Sequence, residues 1–460
     1  MNIKNLFRKR MVEMFNNDAA GGALKLASGV SEKMKDALCL WRAMYDNEAP
    51  WLTKDVKSLN LPAAIAAEMA RLTTVEMRSE VSGSERADFI NKAYGDVLVN
   101  IRRFLEYGCA KGGFIMKPYV CGGKIMVDFI QADRFFPTTF DSAGKITGAI
   151  FIGQIKDDGK IFTRLEEHRI SGGKYIITNR AYASKTEGVI GKEIPLGEVD
   201  AWAGLSPETT ILNVDKLLVG YFRVPYANAV DSASPLGVSV YARACELIEE
   251  ADKQYSRLLW EFESGERALY VSDMAFKVDM RGRAIVPDKR LYRMLSIEQG
   301  GDDLFSDWTP TLREEHILRG LNSILRKIEF NCGLAYGTLS DVDNVDKTAE
   351  EVKASKQRSY SMVCDMQKAL KNALCDLAEA MDALCSLYNL APEGEYNISF
   401  EFDDSTVSDR AAEFLEKQQL VESGIMQPWE FRMWYFGESE EQAKKAASGR
   451  VFKIPAGGAA

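Results

Sequence analysis

Apolar residues recur every three or four positions through much of the chain, and this is the spacing of one face of an α-helix. Near the start, one such series consists of Met34, Leu38, Trp41 and Tyr45. The alanine-rich segment 61–78 repeats the spacing. The pattern therefore predicts helices over 31–45 and 61–78.

Between residues 112 and 182 the pattern changes to short apolar runs separated by polar turns. Gly-Gly or Asp-Gly pairs occur in the turns at 121–124, 157–160 and 171–174. Glycine adopts the positive φ angles of tight hairpins without steric cost. The segment is therefore predicted to be an antiparallel β-meander.

Two long helices with a small β insertion between them are the clearest feature of the second half. Ser234 followed by Pro235 has the signature of a helix start, which predicts a first helix over 235–264, roughly 40 Å long. A second helix is predicted over 312–336, and turn signals within 265–311 favour short strands. The apolar seam of the two helices, at alternating steps of three and four, consists of Tyr241, Ile248, Tyr255, Leu258, Phe262, Leu321, Leu325 and Ile328.

A third long helix is predicted after the acidic connector 337–347. Pro392 and Gly394 end it, since these residues are typical helix stop signals. Alternating apolar and polar residues at 396–402 predict a half-buried strand, and 408–445 is again helical in pattern. Together these elements predict an α+β fold.

The composition is that of a folded protein, but not of one that grips nucleic acid over its whole surface. The chain carries 58 Lys and Arg against 67 Asp and Glu, a net charge of −9, whereas a tight grip on phosphates needs net positive charge. The hydrophobic fraction of 46% is ordinary for a globular protein. No apolar run approaches the length of about 18 residues that a membrane span needs, so we expect a soluble chain made in the cytoplasm.

No sequence motif indicates catalysis. The eight cysteines form no C-x-x-C pair, and His168 and His316 are the only histidines, which leaves little for a metal site or a histidine base. Segment 153–160 departs from a phosphate-binding loop, because five residues separate its glycines and Ile161 stands where Ser or Thr is needed. Segment 341–346 lacks the third side-chain oxygen and the glycine of a calcium loop. We therefore expect no enzyme, no cofactor and no metal site.

Charge is distributed unevenly along the chain. Segment 277–293, inside the β insertion, has six basic residues against two acidic ones; this basic patch consists of Lys277, Arg281, Arg283, Lys289, Arg290 and Arg293. Segment 338–351 has five acidic residues against one basic residue, and 393–409 has six acidic residues and no basic one. Any one of these segments could be an ordinary solvated surface. Because the basic patch and the acidic connector fall at opposite ends of the predicted helical hairpin, an element that spans two environments is also indicated.

Several segments, taken in their order and spacing, carry a family resemblance. They are Leu40-Trp41-Arg42-Ala43-Met44-Tyr45 followed by Trp51, the alanine-rich helix ending in Glu76, the run 228–237 (Asn-Ala-Val-Asp-Ser-Ala-Ser-Pro-Leu-Gly), and 347–352, 402–405 and 423–426. With these segments the chain resembles the portal proteins of tailed bacteriophages, in particular the group found in phages of Gram-positive hosts.

The resemblance implies the portal-protein fold, with long stem helices, an antiparallel β wing, a small α/β clip and a helical crown. It implies a wing at 1–234, stem helices at 235–264 and 312–336, a clip at 265–311, a tunnel loop at 337–347, a further wing helix and strand at 348–404, and a short crown at 405–460. The loop residues that would face DNA are then Asp341, Asp343, Asn344, Asp346 and Lys347.

The resemblance also implies a function and partners. Portal proteins form rings, usually dodecameric, at one vertex of the capsid, through which DNA is packaged and ejected. The implied partners are further copies of the chain, double-stranded DNA, the terminase large subunit, the head-tail adaptor, and the major capsid and scaffolding proteins. The implied location is the portal vertex of the virion, after assembly in the host cytoplasm and without a membrane.

Two other functions remain open. One is another structural component of the virion, such as a minor head protein, which would not form closed rings. The other is an enzyme of unrecognised type, which would need a catalytic pocket that no motif indicates.

Overall fold

The computed structural model describes residues 29–75, 77–186, 189–266, 268–272, 292–295, 305–308, 310–341, 349–402 and 410–447. The chain forms two compact units, Met1–Glu401 and Phe402–Ala460. Helices and mainly antiparallel strands make up the first unit, whereas the second is described as helices. The α+β prediction agrees with this mixed content.

The first helices follow the predicted pattern closely. Helix α1, Glu32–Tyr45, begins where expected because the Ser31 side chain accepts a hydrogen bond from the amide of Met34. Helix α2, Leu61–Thr74, ends before the predicted 78 because strand β1, Arg78–Ser82, follows it. Helix α3, Glu85–Lys111, is the longest element of this region.

Gly112 fixes the end of α3 against another part of the chain. Its φ is +92°, a left-handed value that favours glycine, and a Cβ at this position would lie 2.4 Å from the carbonyl oxygen of Gly237. The backbone of Gly237 can therefore pass directly over the end of α3 only because residue 112 has no side chain.

The predicted meander is confirmed, with all three turn signals at hairpins. Strands β2 (Gly113–Cys121) and β3 (Lys124–Gln131) pair across the first turn, and β10 (Gly220–Arg223) joins them in a three-stranded sheet. The second sheet has six strands, which are β4 (Phe135–Phe140), β5 (Ile146–Asp157), β6 (Lys160–Ser171), β7 (Lys174–Ser184), β8 (Lys192–Ile194) and β9 (Glu208–Leu212).

The helical hairpin and its insertion are also present, but the first helix starts later than predicted. Helix α4 is Cys245–Ser264 and helix α5 is Glu314–Cys332, with strands β11 (Ala268–Ser272), β12 (Tyr292–Leu295) and β13 (Phe305–Trp308) between them. Strand β11 pairs in parallel with β12 and antiparallel with β13.

The helix start predicted at Ser234 was wrong because tertiary contacts hold residues 234–241 in another conformation. The Ser234 hydroxyl accepts a bond from the amide of Leu236 and so closes a turn, while the amide of Val240 donates to the carbonyl of Cys109 at 2.9 Å. The Tyr241 hydroxyl donates to the carbonyl of Trp41 at 2.8 Å. Residues 234–241 therefore pack against the core in a non-helical conformation, and α4 begins only after them.

The remaining elements connect distant parts of the sequence. Helix α6, Ala349–Tyr388, is 40 residues long, and strand β14, Asn397–Glu401, pairs antiparallel with β1. The fully buried guanidinium of Arg86, at the start of α3, donates to the carbonyls of Ala391 and Pro392 and to the carboxylate of Asp382. The end of α6 is thereby fixed to the start of α3.

The second unit is described as three helices, α7 (Arg410–Glu422), α8 (Pro428–Phe436) and α9 (Glu440–Ala447). None of the side chains of α8 is buried, although most of them are aromatic. In the described part of the chain, no helix combines the length and the apolar composition that crossing a membrane would require.

A buried polar network joins the two sheets of the meander. The carboxylate of Glu166 on β6 accepts bonds from Lys117 of β2 at 2.5 Å, from Arg164 at 2.7 Å and from the His168 ring at 2.8 Å. The other ring nitrogen of His168 accepts from the Tyr175 hydroxyl at 2.6 Å, an assignment that the neighbouring donors require. This arrangement holds His168 in its neutral form between two partners.

Burial and charge shift the pKa values of this network in directions that make the fold sensitive to acid. Burial lowers the pKa of His168, because the charged ring is desolvated. Burial opposes the ionisation of Glu166, but the bond from His168 and the charges of Lys117 and Arg164 outweigh it and lower the pKa of the carboxyl. Unfolding therefore takes up protons at both residues as the pH falls.

We predict that His168→Gln reduces the loss of stability between pH 7 and pH 5. In the wild type the unfolded histidine binds a proton below its pKa of about 6.5 while the buried ring does not, so stability falls by up to about 1.4 kcal/mol for each pH unit. The melting temperature measured against pH should decline less steeply in the variant. An identical slope for both proteins would contradict this assignment.

Candidate functional site

The packing of α4 on α5 buries most of the predicted apolar seam. Five of the eight residues are buried, namely Tyr241, Ile248, Leu258, Leu321 and Ile328. Tyr255 and Leu325 are half-buried, and Phe262 is 47% exposed. Tyr241 lies ahead of α4 and contacts the first unit's core instead of the partner helix. The seam therefore joins α4 and α5 to each other and to a larger core. Near the insertion its apolar surface is exposed to solvent.

At the end of the hairpin that carries the insertion, one ion pair closes the gap between the helices. The Glu261 carboxylate, on the last turn of α4, accepts bonds from the backbone amide and the guanidinium of Arg313, with the closest pair at 2.8 Å. The side-chain bond from Arg313 lowers the pKa of Glu261, followed by the bond from its amide. The contact is thus retained above the pKa of the unfolded carboxyl and lost as the pH falls through the lowered value.

The basic patch of the insertion lies almost wholly outside the described residues. Arg293 is on β12, where its backbone is opposite Tyr270 of β11. The remaining members, Lys277, Arg281, Arg283, Lys289 and Arg290, lie outside the described ranges. The patch stays a prediction.

A second buried carboxylate on α4 holds an early segment of the chain. Asp252 accepts a bond from the indole nitrogen of Trp51 at 2.9 Å and from the amide of Leu59 at 2.8 Å. One turn later Ser256 accepts from the amide of Lys57 at 2.8 Å. Burial raises the pKa of Asp252. Segment 51–59 is therefore bound along α4 by hydrogen bonds to Asp252 and Ser256.

The acidic connector turns back at the end of α5. Helix α5 ends at Cys332, Gly333 adopts a φ of +70°, and the chain then turns back. The carboxylate of Glu329, which is fully buried, accepts bonds from the amides of Gly337 at 3.1 Å, Leu339 at 2.6 Å and Ser340 at 2.8 Å. The second carboxylate oxygen accepts from the Ser340 hydroxyl at 2.8 Å.

Two turns earlier on the same face of α5, the side-chain amide of Asn322 both accepts and donates a hydrogen bond with the backbone of Asp341, the next residue of the connector. Its amide oxygen accepts from the backbone amide of Asp341 at 2.8 Å, and its amide nitrogen donates to the carbonyl of Asp341 at 3.2 Å. Residues 337–341 therefore run back along α5. Asp341 is exposed at the end of this run, whereas the other predicted loop residues, Asp343, Asn344, Asp346 and Lys347, lie outside the described residues.

Glu329 and Asn322 were not predicted from the sequence as functional residues. Asn322 follows the buried seam residue Leu321, and Glu329 follows the buried seam residue Ile328. Asn322 and Glu329 are seven positions apart, which is two helical turns. A pair of polar residues at that spacing next to an apolar seam, followed by Gly333 and Gly337, is the signal that could have indicated a segment folded back on the helix.

A comparison with protein-family models identifies the family to which the chain belongs. Residues 58–448 match the family described as phage portal protein, SPP1 Gp6-like. The chain belongs to this family of phage portal proteins. None of the curated proteins matches the chain.

Membership fits the chemistry of the described residues. Portal proteins are structural rather than enzymatic and form rings at a vertex of the phage capsid. Within the described ranges, no group of three or more His, Cys, Asp or Glu residues could hold a metal ion. The buried polar residues Asp252, Asn322 and Glu329 instead attach other segments to the helix pair.

We predict that Arg313→Met loosens the base of the insertion. The variant removes both guanidinium bonds to the Glu261 carboxylate, so hydrogen exchange should become faster in peptides covering 261–266 and 310–313. Arg180→Met is the matched control, since Arg180 is exposed on β7, outside the helix pair, and its replacement should leave exchange unchanged. Equal exchange in both variants and the wild type would refute a closing role for the ion pair.

Proposed function

We propose that this portal chain assembles into a closed ring of twelve copies at one vertex of the capsid of a tailed phage of a Gram-positive host. DNA enters and leaves the capsid through the axial channel of the ring. The ring is assembled in the host cytoplasm together with major capsid and scaffolding proteins. It docks the terminase large subunit during packaging and the head-tail adaptor afterwards. The family match over residues 58–448 carries this proposal.

The proposed parts follow the observed elements. Helices α4 and α5 are the stem, with the first stem helix starting at Cys245, and the three-stranded insertion between them is the clip. The sheets with α1 to α3, α6 and β14 form the wing, residues 337–347 the tunnel loop, and the second unit the crown. The antiparallel stem pair supports this division, because it separates the insertion from the wing core by the length of the helices.

Exposed apolar residues on the stem support contacts between neighbouring copies. Leu259, Trp260 and Phe262 of α4 and Leu318 of α5 are exposed in the isolated chain. Clusters of exposed large apolar side chains mark protein interfaces more often than free surface. Contact of one face with a different face of the next copy generates a closed ring when the rotation closes.

The charges of the stem helices are arranged for such head-to-tail contact. Three of the four exposed charged residues of α4 are acidic, namely Glu246, Glu250 and Glu263. Two of the three on α5, Arg319 and Lys327, are basic. Placing α4 of one copy against α5 of the next therefore brings mainly opposite charges together.

A channel through which DNA slides should not hold phosphates tightly. Each Lys or Arg contact with a phosphate adds salt-dependent affinity and so resists sliding. Acidic residues at the channel wall repel phosphates and so weaken sequence-independent binding of DNA. Asp341 is the one of these loop residues that the structure describes. The net charge of −9 per copy makes the assembled ring strongly negative.

We predict that the purified protein forms closed annular particles in negative-stain electron microscopy and that Leu259→Ser with Phe262→Ser prevents their formation. Both side chains are exposed, so the variant should fold as a monomer with an unchanged circular dichroism spectrum. Leu212→Ser, at an exposed position on β9, is the control and should still form rings. Open or irregular particles of the wild type would favour another virion component.

We predict that replacing Asp341, Asp343 and Asp346 by Lys impairs DNA packaging or retention while rings still assemble. The added cations would contact phosphates of the passing DNA and slow its movement. The control carries the same change of charge at Asp157, Asp158 and Glu208, which are exposed on the meander. Packaging equal to wild type in the loop variant would refute the proposed channel position.

A further inference from the structure

The buried carboxylate of Glu329 has its hydrogen-bond partners in the connector. Three of the four hydrogen bonds that it accepts come from backbone amides within one tight turn, and the fourth comes from the Ser340 hydroxyl. Successive amides that converge on one oxygen form a concave anion site, here filled by the protein's own side chain. Bonds from N–H groups to an ionised acceptor are about twice as strong as neutral ones.

The shape of the turn depends on this carboxylate. Gly337 has a φ of +90°, which an L-residue rarely adopts, and its amide points at Glu329. Without an acceptor at position 329, the amides of Leu339 and Ser340 would lose their partner together, and the Gly337 amide would keep only its 3.3 Å bond to the Ser340 hydroxyl oxygen. A buried donor without a partner is costly, so the turn would open to water.

Asn322 extends the attachment by one more residue. Its two bonds with the backbone of Asp341 resemble one rung of a β-ladder, with the side-chain amide acting as the second strand. Because Asn322 and Glu329 are two turns apart on a rigid helix, they fix both the position and the direction of 337–341. The exposed Asp341 side chain is the point at which the chain leaves α5.

We propose that Glu329 and Asn322 are the positioning residues of the tunnel loop: they make its first half a part of α5, so that Asp341 follows any movement of that stem helix. The proposal rests on the channel function proposed above. It deepens that function, because it states which helix sets the place of the loop in the channel. Movement of the clip or stem is thereby transmitted to the acidic segment through two side chains.

Hydrogen exchange measured by mass spectrometry on assembled rings tests the attachment itself. In Glu329→Leu, exchange in peptides covering 337–341 should rise by at least about tenfold, since all four bonds are lost. Glu329→Gln keeps an acceptor for the amides and should give a smaller rise. Peptides from the middle of α4 should be unchanged in both. Wild-type exchange at 337–341 in Glu329→Leu would overturn the proposal.

Asn322→Leu tests whether the attachment matters for the loop's task instead of for folding alone. We expect the variant to form rings, because the substitution leaves α5 and its seam in place, although its melting temperature should fall slightly with the loss of two hydrogen bonds. DNA retention in filled capsids should fall, and exchange at 341 should rise. Normal retention, whatever the melting temperature, would indicate a structural role only and would overturn the positioning role.

These outcomes separate the two proposals. If the triple Lys variant of the loop packages normally, the channel function fails whatever the exchange at 337–341. If that variant is impaired but Glu329→Leu and Asn322→Leu retain DNA as the wild type does, the positioning role fails and the channel function stands.

Discussion

The antiparallel packing of α4 on α5 is the interaction on which the other features of this portal chain depend. Carboxylates on the two helices make the attachments: Asp252 binds 51–59, Glu329 binds the acidic connector, and Glu261 binds Arg313 at the start of α5, where the insertion ends. Removing one partner of a buried polar contact costs far more than the net worth of the bond, so these attachments are specific. The helix pair thus acts as the frame to which the N-terminal segment, the insertion and the connector are fixed.

This frame reconciles an acidic chain with a role around DNA. Taken alone, a net charge of −9 argues against a protein that clamps nucleic acid. In a ring-forming family whose members enclose a channel, the same charge excludes only a tight grip. The direction of the connector matters here, since residues 337–341 run back along α5 and leave Asp341 exposed. In the proposed ring, a rigid attachment would place Asp341 at the same position in every copy.

Local sequence signals predicted the elements whose formation is itself local. The Ser31 cap, the hairpins at 121–124, 157–160 and 171–174, and the apolar faces of the long helices all follow from neighbouring residues. Contacts between distant residues decided the rest. The cap at Ser234 failed because Cys109 and Trp41 bind the segment after it, and the pairing of β1 with β14 joins strands more than 300 residues apart. Glu329 looked like an ordinary exposed helix residue, because only the fold brings Gly337 and Ser340 over it.

The central claim is that the helix pair carries the acidic connector to the wall of an axial channel. A cryo-electron microscopy reconstruction of the purified protein tests it most directly, because the symmetry and the place of each residue are read from one map. The account predicts a closed ring in which Asp341 of every copy faces the axis, with 337–341 still bound to Glu329 and Asn322. A reconstruction without a closed ring, or one with Asp341 on the outer surface, would contradict it.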